Sequence, residues 1–579
     1  MPVGFAVCFG VLIAIARLAG DPTGRLLGHT FSEVPGHLWM QWLLERALFD
    51  GKAWFGQTDI VLGEAMWVVP TDWLNRAAAV PLGRVLGPVA AYNLIAAGLL
   101  AMSGLSAAFL ARAAGARPWP CALAALLVVW SPPLLGFLAD GRLDSVGLCW
   151  VGFLAAAWVA AMRAPSWRAG LAVGGWAVCV ILAGPNLTMA TVLAALIPSA
   201  VAVAARRQRL KPLASAAAIA AVAAVAVLAL LLFVENNDSG RLEQHSNAEQ
   251  RPLIEAVTPE TIAQRRMADF WHGAYALNRE VPVHSAWIVP PQLADNPATL
   301  NAASMGTVQP YAPGAWWGFS LVPWGLALFG LFRRPRAVLP WVGAAAGLHL
   351  LAMGHGSSQT WPFLLNGTYY YVAPAVLLER LPGLSVFNNY GLFATFATLA
   401  LSTAAALAIS GMPRRAWIAA GLAVIWMVEV QRGPVPLPLA VHDIRLPEPF
   451  LAALDGVPAE RAIFFLPMSK DLNNYLQTQH SHPTLMRFRH GESGPNDDPI
   501  LADPTGAANE LLRAALGGPP ARPRLPERLA QSQIGAVVVM PDLLPNTMGT
   551  ALDARVRATL GEPSWSDGHR HIYRLGPAP

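Results

Sequence analysis

Residues 88–111 read PVAAYNLIAAGLLAMSGLSAAFLA and are followed at once by Arg112. The stretch contains no charged side chain, and about 20 apolar residues are enough for one helix to cross a bilayer. The whole chain is 55% hydrophobic and 13% charged, and this charged fraction is about half that of an ordinary soluble domain. A chain with this balance cannot bury all its apolar surface in a water-soluble core. It is therefore predicted to be an integral membrane protein with the lipid bilayer as a partner.

Similar apolar stretches recur along the chain and predict about eleven membrane-spanning helices. They lie near residues 2–20, 88–111, 119–138, 145–162, 168–185, 187–205, 213–234, 315–332, 337–353, 390–410 and 416–430. Residues 3–18 have no basic start and no small-residue cleavage site, so they are interpreted as a retained first helix. The expected fold class is a mainly α, polytopic membrane protein.

Short basic clusters follow every second predicted span. Their members are Arg112 and Arg117, Arg163 and Arg168, residues 206–211, residues 333–336, and Arg414 and Arg415. Positively charged turns stay in the cytoplasm, so the pattern predicts a cytoplasmic N-terminus and an extracytoplasmic C-terminus. The long polar loops at 21–87, 235–314 and 354–389 then lie outside. The Ala, Arg, Pro and Gly bias suggests a bacterium, so the expected location is the inner membrane.

The chain is expected to divide into a transmembrane domain over residues 1–430 and a soluble, extracytoplasmic α/β domain over residues 431–579. Strand patterns in this tail cover residues 462–466, 536–540 and 571–574. Helix patterns cover residues 449–454, 507–515 and 551–560. Alternation of short apolar β-branched runs with helical periodicity is typical of a small α/β domain.

Several classes of function are disfavoured by what the sequence lacks. It has no Lys/Arg-rich tract with interleaved aromatic residues, which argues against nucleic acid as a partner. It has neither a phosphate-binding Gly-x-x-x-x-Gly-Lys-Ser/Thr loop nor a Gly-x-Ser-x-Gly elbow. All four cysteines lie in apolar segments, and the outer-loop histidines lack the His-x-x-x-His spacing of metal sites. No metal and no other cofactor is expected.

The first outer loop carries residues suited to chemistry. Residues 28–39 read GHTFSEVPGHLW and precede an amphipathic run at 40–49. Ser32, Glu33 and Pro35 favour a helix start, and the following residues favour a helix at the membrane interface. A carboxylate there could act as a general base on an acceptor hydroxyl beside a lipid-linked phosphate. Alternatively, Glu33 only complements the helix dipole.

A second acidic group, Asp140-Gly141-Arg142-Leu143-Asp144, connects the third and fourth predicted spans. The connection is too short to extend far, so it is expected at the outer surface near the first loop. Asp140 and Asp144 are candidate catalytic acids, and Arg142 is a candidate phosphate partner. Equally, Arg142 could form a salt bridge to either aspartate. Further candidate substrate-binding residues, all in outer loops, are His29, His37, Trp39 and His355.

Five segments resemble motifs of the GT-C superfamily of glycosyltransferases, which includes protein O-mannosyltransferases and the aminoarabinose transferase of lipid A. The first is the first outer loop, where the matching residues are Glu33, His37, Trp39, Gly51, Pro70 and Asp72. The other four are residues 91–94, 140–144, 381–387 (LPGLSVF) and 475–480 (YLQTQH). The resemblance runs over most of the chain.

The resemblance implies an inverting, metal-independent transfer of a sugar from a polyprenyl-phosphate donor to a glycan, lipid or protein acceptor outside the cytoplasm. It implies that Glu33 deprotonates the acceptor while the phosphate leaves. Two other functions stay open: a non-catalytic scaffold, and a transporter or flippase of cell-envelope lipids or glycans. Charged residues within the predicted spans would favour transport, and these spans are nearly free of them apart from Arg17 and Glu429.

Overall fold

The computed structural model describes most of the membrane part and most of the tail. The described residues are 2–28, 34–52, 55–61, 64–67, 72–164, 166–184, 187–188, 190–192, 194, 254–257, 321–352, 363–365, 368–372, 392–431, 437–439, 441–443, 445–466, 470–485, 506–515, 520–543 and 546–576. The predicted span at 213–234 and nearly all of the one at 187–205 lie outside them.

The membrane part consists mainly of helices. In chain order they are α1 (Pro2–Ala14), α2 (Val34–Phe49), α3 (Trp73–Leu86), α4 (Pro88–Ala113), α5 (Pro118–Val129), α6 (Pro132–Asp140), α7 (Leu143–Val146), α8 (Leu148–Arg163), α9 (Trp167–Ala183), α10 (Leu321–Arg333), α11 (Pro335–Ala352), α12 (Leu392–Ile409) and α13 (Arg415–Gln431). A short 3₁₀ helix, Ala16–Gly20, follows α1.

Short strands accompany these helices. They are β1 (Arg25–Leu27), β2 (Phe55–Val61), β3 (Glu64–Trp67), β4 (Ile254–Val257), β5 (Phe363–Leu365) and β6 (Thr368–Val372). Strands β2 and β3 pair antiparallel, and β6 lies between β4 and β5 in a three-stranded antiparallel sheet. Segments of three different predicted outer loops therefore contain strands, and two of those loops meet in one sheet.

Among the described residues, two helices are each long and apolar enough to cross a membrane, namely α4 and α12. A third span results if α5 and the start of α6, which meet at a bend of 41°, are counted together. The shorter apolar helices α1, α8, α9 and α10 also coincide with predicted spans. The chain is thus a mainly helical membrane protein, and the number of eleven spans stays a prediction.

Helix α12 forms the centre of the bundle and is buried along its whole length. It packs against α4, α5, α10 and α11, and its many Ala, Ser and Thr residues permit close approach of the neighbouring backbones. The hydroxyl groups donate within the helix, for example from Thr398 to the Ala394 carbonyl at 3.0 Å and from Thr403 to the Leu399 carbonyl at 2.9 Å. These polar groups are therefore satisfied without water.

The arginine-rich turns meet at one end of the bundle. Arg163 donates to the carbonyl that follows α4 at 2.8 Å, and the Arg117 amide donates to Ser410 Oγ at 3.2 Å. A Cβ atom on Gly411 would lie 2.8 Å from the Arg334 guanidinium. The turns after α4, α8, α10 and α12 thus lie together, as the alternation of charge predicts. That this end faces the cytoplasm stays a prediction.

The tail combines helices with a four-stranded sheet. Its elements are β7 (Val441–Asp443), α14 (Glu448–Leu454), β8 (Ala462–Leu466), α15 (Lys470–His480), α16 (Ala507–Ala515), α17 (Leu525–Gln531), β9 (Ile534–Val539), α18 (Asn546–Leu560), β10 (Trp565–Ser566) and β11 (His571–Arg574). The sheet order is β10-β11-β9-β8, with β8 and β9 parallel and the other pairs antiparallel. Helices α15 to α17 lie on the crossover that parallel strands require.

The predicted elements of the tail are confirmed, with small shifts at their ends. Every residue of β8 and β9 is buried, which explains their continuous apolar runs. Helix α18 begins at Asn546, five residues before the predicted start at residue 551. Gly549 lies in its first turn, and glycine weakens a helical pattern. The domain boundary at residues 430 and 431 stays a prediction.

The tail is attached to the first loop by a strand pair and an ion-pair cluster. Strand β1 pairs antiparallel with β7, with Arg25 opposite Asp443. The Arg445 guanidinium lies 2.6 Å from Asp443 Oδ2 and 3.1 Å from Asp21 Oδ2. Its hydrogen bond lowers the pKa of Asp443 below the ordinary value. A Cβ atom on Gly24 would overlap the Arg445 guanidinium, which would have to shift to make room.

Candidate functional site

The candidate site lies where the first loop meets the turn between α6 and α7. Three of the sequence-predicted site residues, His29, Glu33 and His355, lie outside the described residues. The structure describes His37, Trp39 and Arg142 together with the backbones of Asp140 and Asp144. The geometry around these residues therefore defines the site.

Two glycines bring the first loop and the turn into direct contact. Gly28 has φ +112°, and a Cβ atom there would lie 2.7 Å from the Ala139 carbonyl oxygen. Gly141 has φ +82°, and a Cβ atom there would overlap the backbone of Val34. Both positions combine a left-handed backbone with a close approach, so they admit only glycine without strain. The predicted proximity of the 140–144 segment to the first loop is confirmed.

The turn itself is a helix end closed by glycine. Helix α6 ends at Asp140, Gly141 adopts the left-handed conformation, and the Arg142 amide donates to the Phe137 carbonyl at 3.0 Å. This pattern satisfies a carbonyl at the end of the helix. The next helix, α7, starts at Leu143, so Asp140 and Asp144 lie on either side of Arg142. The Arg142 side chain is partly buried, and its Nε atom is buried completely.

His37 lies in the first turns of α2 and is held by an arginine of α3. The Arg76 guanidinium donates to the His37 backbone carbonyl and lies 2.5 Å from His37 Nδ1. Arginine can only donate, so Nδ1 accepts and the imidazole carries its proton on Nε2. Arg76 is 7% exposed, and Asp72, which caps α3, is 1% exposed. Sequence reasoning missed Arg76, although it stands four residues after the capping Asp72.

Trp39 is fully buried and joins the site to the tail. Its Nε1 donates to Gln477 Oε1 of α15 at 3.0 Å, and Gln477 Nε2 donates to the His482 carbonyl at 3.1 Å. Trp39 is 0% exposed and Gln477 is 1% exposed, so the indole offers no surface to a substrate. Gln477 belongs to the YLQTQH segment of the sequence resemblance. The sequence did not indicate that this segment packs on α2.

Asn93 fixes the other side of the first loop. Its Oδ1 accepts from the Leu27 amide at 3.0 Å, and its Nδ2 donates to the carbonyls of Pro22 at 3.0 Å and Arg25 at 2.7 Å. All three partners belong to the segment before Gly28, and Asn93 is 4% exposed. The asparagine of the 91–94 motif at the start of α4 therefore positions the loop that leads into the site.

Beside Gln477, the end of α15 carries a neutral histidine pair. Burial, followed by the neighbouring His482, lowers the pKa of His480 to about 3. The His480 ring stacks on Phe465 with ring centroids 5.4 Å apart, and its Nδ1 accepts from the His482 amide at 3.1 Å. Burial likewise lowers the pKa of His482. The end of α15 thus carries uncharged imidazoles at neutral pH.

A metal site was not expected from the sequence. Within the part of the chain that the structure describes, no three His, Cys, Asp or Glu residues come together as potential metal ligands. Independence from metal stays a prediction, because Glu33 and two of the outer-loop histidines named above lie outside that part.

No protein-family model matches the sequence, and no curated protein matches it. Among solved structures, arabinofuranosyltransferase AftD from Mycobacteria aligns with a TM-score of 0.50 at 16% identity, over 99% of this chain and 40% of that chain. The oligosaccharyltransferase of Archaeoglobus fulgidus aligns with a TM-score of 0.47 at 11% identity, over 96% of this chain and 71% of that chain. ArnT from Cupriavidus metallidurans aligns with a TM-score of 0.38 at 14% identity, over 99% of this chain and 98% of that chain.

The chain therefore has a fold similar to that of the arabinofuranosyltransferase AftD, and the resemblance of its motifs to GT-C glycosyltransferases agrees with this likeness. It spans about two fifths of the length of the arabinofuranosyltransferase chain that it resembles. At such low identity the likeness concerns the fold.

Proposed function

We propose that the protein is a membrane glycosyltransferase that transfers a sugar from a polyprenyl-phosphate donor to an acceptor outside the cytoplasm. The observation that carries the proposal is the contact between Val34 and Gly141. It brings the start of α2 against a turn that holds two aspartates and an arginine. Glu33 directly precedes Val34 in the chain, and this contact supports the proposal that the Glu33 carboxylate and the turn belong to one site.

In this proposal Glu33 acts as the general base. The acceptor oxygen forms a bond to the anomeric carbon while the bond from that carbon to the phosphate oxygen breaks. The acceptor proton passes to the Glu33 carboxylate, and the phosphate leaves with the electron pair. Arg142 stabilises the charge on the leaving phosphate, since arginine binds phosphate through charge-assisted hydrogen bonds. Asp140 and Asp144 support Arg142 and orient the acceptor.

His37 is proposed to bind substrate as a neutral donor. Arg76 occupies its Nδ1, so a hydrogen bond from the neutral ring to a sugar hydroxyl or a phosphate oxygen would come from Nε2–H. His29 and His355 stay candidates for the same role. Trp39 is assigned to hold α2 rather than to touch the sugar, because its side chain is fully buried.

The positions of the site and of the basic turns at opposite ends of α4 support an extracytoplasmic site. Helix α4 has 26 residues and is therefore about 39 Å long, which exceeds the roughly 30 Å of the hydrocarbon core. Asn93 near its start holds the first loop, whereas Arg112 near its end belongs to the basic turns. By the positive-inside rule the basic end is cytoplasmic, so the site faces the outer side of a bacterial inner membrane.

The test uses the protein in nanodiscs with radiolabelled polyprenyl-phosphate sugars and a membrane extract as the source of acceptor. Wild type should transfer sugar, and Glu33→Gln should lower the rate by about 100-fold or more, because it removes the base. The matched control is Glu45→Gln, at a carboxylate on the same helix that bonds Gln41 at 3.0 Å, and it should retain activity.

Two results would contradict the assignment. A Glu33→Gln variant as active as wild type would transfer the role of base to Asp140 or Asp144. If wild type turned over none of the polyprenyl-phosphate sugars, the proposal of an enzyme would be wrong. A scaffold or a transporter of cell-envelope lipids or glycans would then be favoured.

A further inference from the structure

A cavity of about 230 Å³ opens at one edge of the sheet in the tail. Its lining residues are Pro541, Asp542, Thr550, Asp553, Gly568 and His571. The edge is the one where the parallel strands β8 and β9 end, because Pro541 and Asp542 follow β9 and His571 pairs with Val539. In sheets with parallel strands, ligands bind in crevices beyond the carboxyl ends of the strands.

His571 provides a sign of a missing partner. The residue is 6% exposed, its Nε2 lies 3.6 Å from Asp553 Oδ1, and it lines the cavity. Its Nδ1 is buried and has no hydrogen-bond partner among the described residues. Buried polar atoms in folded proteins nearly always have partners, so this imidazole has unused hydrogen-bonding capacity beside the cavity.

The carboxylate of Asp553, next to His571, can accept further hydrogen bonds. Asp553 accepts from the Tyr573 hydroxyl at 3.3 Å and from Arg557 at 3.4 Å. Both distances exceed the usual 2.7–2.9 Å of hydrogen bonds to an ionised carboxylate. Asp553 side-chain atoms are 19% exposed. The carboxylate is therefore accessible and held only by long contacts.

The α18 helix is built to lie close against the loop after β9. A Cβ atom on Gly549 would overlap the Pro541 carbonyl, so only glycine permits this approach. Thr550, the next residue, and Asp553, one turn on, consequently face the cavity from α18. On the opposite wall, a Cβ atom on Gly568 would meet nothing within 4 Å, which keeps that side open.

We propose that this cavity binds a single sugar unit. Its groups are the carboxylates of Asp542 and Asp553, the Thr550 hydroxyl and the His571 imidazole, and Asp542 also contacts His569 Nδ1. Such groups suit the hydroxyl groups of a sugar because each hydroxyl both donates and accepts. Two carboxylates disfavour a phosphate or another anion. The volume is below the 300–1,000 Å³ of pockets for drug-sized ligands, so it suits one saccharide ring rather than an oligosaccharide. The tail is then a recognition element, whether or not Glu33 acts as base.

Saturation-transfer NMR on the full-length protein in nanodiscs tests this site, with methyl glycosides of neutral hexoses and pentoses as probes. At least one glycoside should give saturation transfer with wild type, and the signal should fall at least fivefold in Asp553→Asn and in Thr550→Val. Asp455→Asn, an equivalent change at an exposed aspartate elsewhere in the tail, should leave it unchanged. Glu33→Gln should also leave it unchanged, which separates this site from the proposed transfer site.

Absence of saturation transfer from every glycoside would overturn the proposal, and so would signals that persist in both cavity variants. Displacement of the glycoside by calcium or zinc ions at lower concentration than by free sugar would make the cavity a cation site instead. A signal lost in Glu33→Gln but retained in Asp553→Asn would assign binding to the first loop and reject the cavity. The thermal unfolding midpoint of Thr550→Val, measured beside wild type, separates loss of binding from unfolding of the tail.

Discussion

Gly141 is the residue on which the contact between the turn and the first loop depends. Its φ of +82° costs an L-residue about 1–2 kcal/mol, and a Cβ atom would overlap the Val34 backbone. Gly141→Ala should therefore lower the thermal unfolding midpoint and also displace the start of α2, with a loss of sugar transfer larger than the loss of folded protein.

Gly136→Ala is the matched control for this change. Gly136 lies in the same helix, α6, and a Cβ atom there would meet nothing within 4 Å. This variant should be neutral or more stable by about 0.4–1 kcal/mol, since alanine restricts the unfolded chain. Equal effects of the two variants, measured side by side on the unfolding midpoint and the transfer rate, would contradict the role given to Gly141.

His480 should make the stability of the protein depend on pH. Burial lowers its pKa in the folded protein to about 3, below the ordinary value of 6.5. Between these values the unfolded chain binds a proton that the folded chain does not. Stability is therefore complete above pH 6.5 and falls as the pH drops toward 3, by at most about 1.4 kcal/mol per pH unit.

His480→Phe should reduce this pH dependence, because phenylalanine retains the stack on Phe465 without binding a proton. The measurement is the thermal unfolding midpoint in nanodiscs at pH 7, 6, 5 and 4. His569→Gln, at an imidazole of the same tail whose side chain is 70% exposed, should leave the dependence in place. An unchanged slope in His480→Phe would show that other groups dominate the acid response.

At the scale of elements, α2 is held between α3 and α15. The link to α15 is the buried hydrogen bond from Trp39 to Gln477. Trp39→Phe and Gln477→Leu should each destabilise the protein by about 1–3 kcal/mol, because each removes this buried hydrogen bond. The double variant should cost less than the sum of the two, and a double-mutant cycle measures the difference.

Hydrogen exchange of the α2 backbone gives a second measurement of this link. Exchange in α2 should rise in both single variants and recover partly in the double variant, while exchange in α12 should stay unchanged as an internal reference. Additive effects in the cycle, or an α2 that exchanges as slowly as in wild type, would mean that α15 does not position α2.

At the scale of the whole molecule, the sequence predicted what local patterns encode. The apolar runs of α4 and α12, the arginine turns and the strands β8 and β11 all follow from periodicity and composition. The sequence did not predict the pairing of β1 with β7 or the bond from Trp39 to Gln477, whose partners are 438 residues apart. Contacts of this kind leave no periodic signal, because each element would look the same with another partner.

Part of the candidate site was also predictable from the local sequence. A short connection restricts where Gly141 and its neighbours can lie, so their position near the first loop followed from the sequence. Arg76 and Gln477 act through tertiary contacts with α2, and nothing in their local sequence distinguishes them from ordinary helix residues.

The attachment of β1 to β7, and of α2 to α15, determines when the site can be completed during biosynthesis. A ribosome that adds about 5–20 residues per second needs roughly 20 to 90 seconds to pass from Trp39 to Gln477. Throughout that interval β1 lacks its strand partner β7, and the hydrogen bond between Trp39 and Gln477 cannot form. The first loop is thus made long before the contacts that hold it, and a chaperone that shields exposed strand edges would have a substrate in this loop.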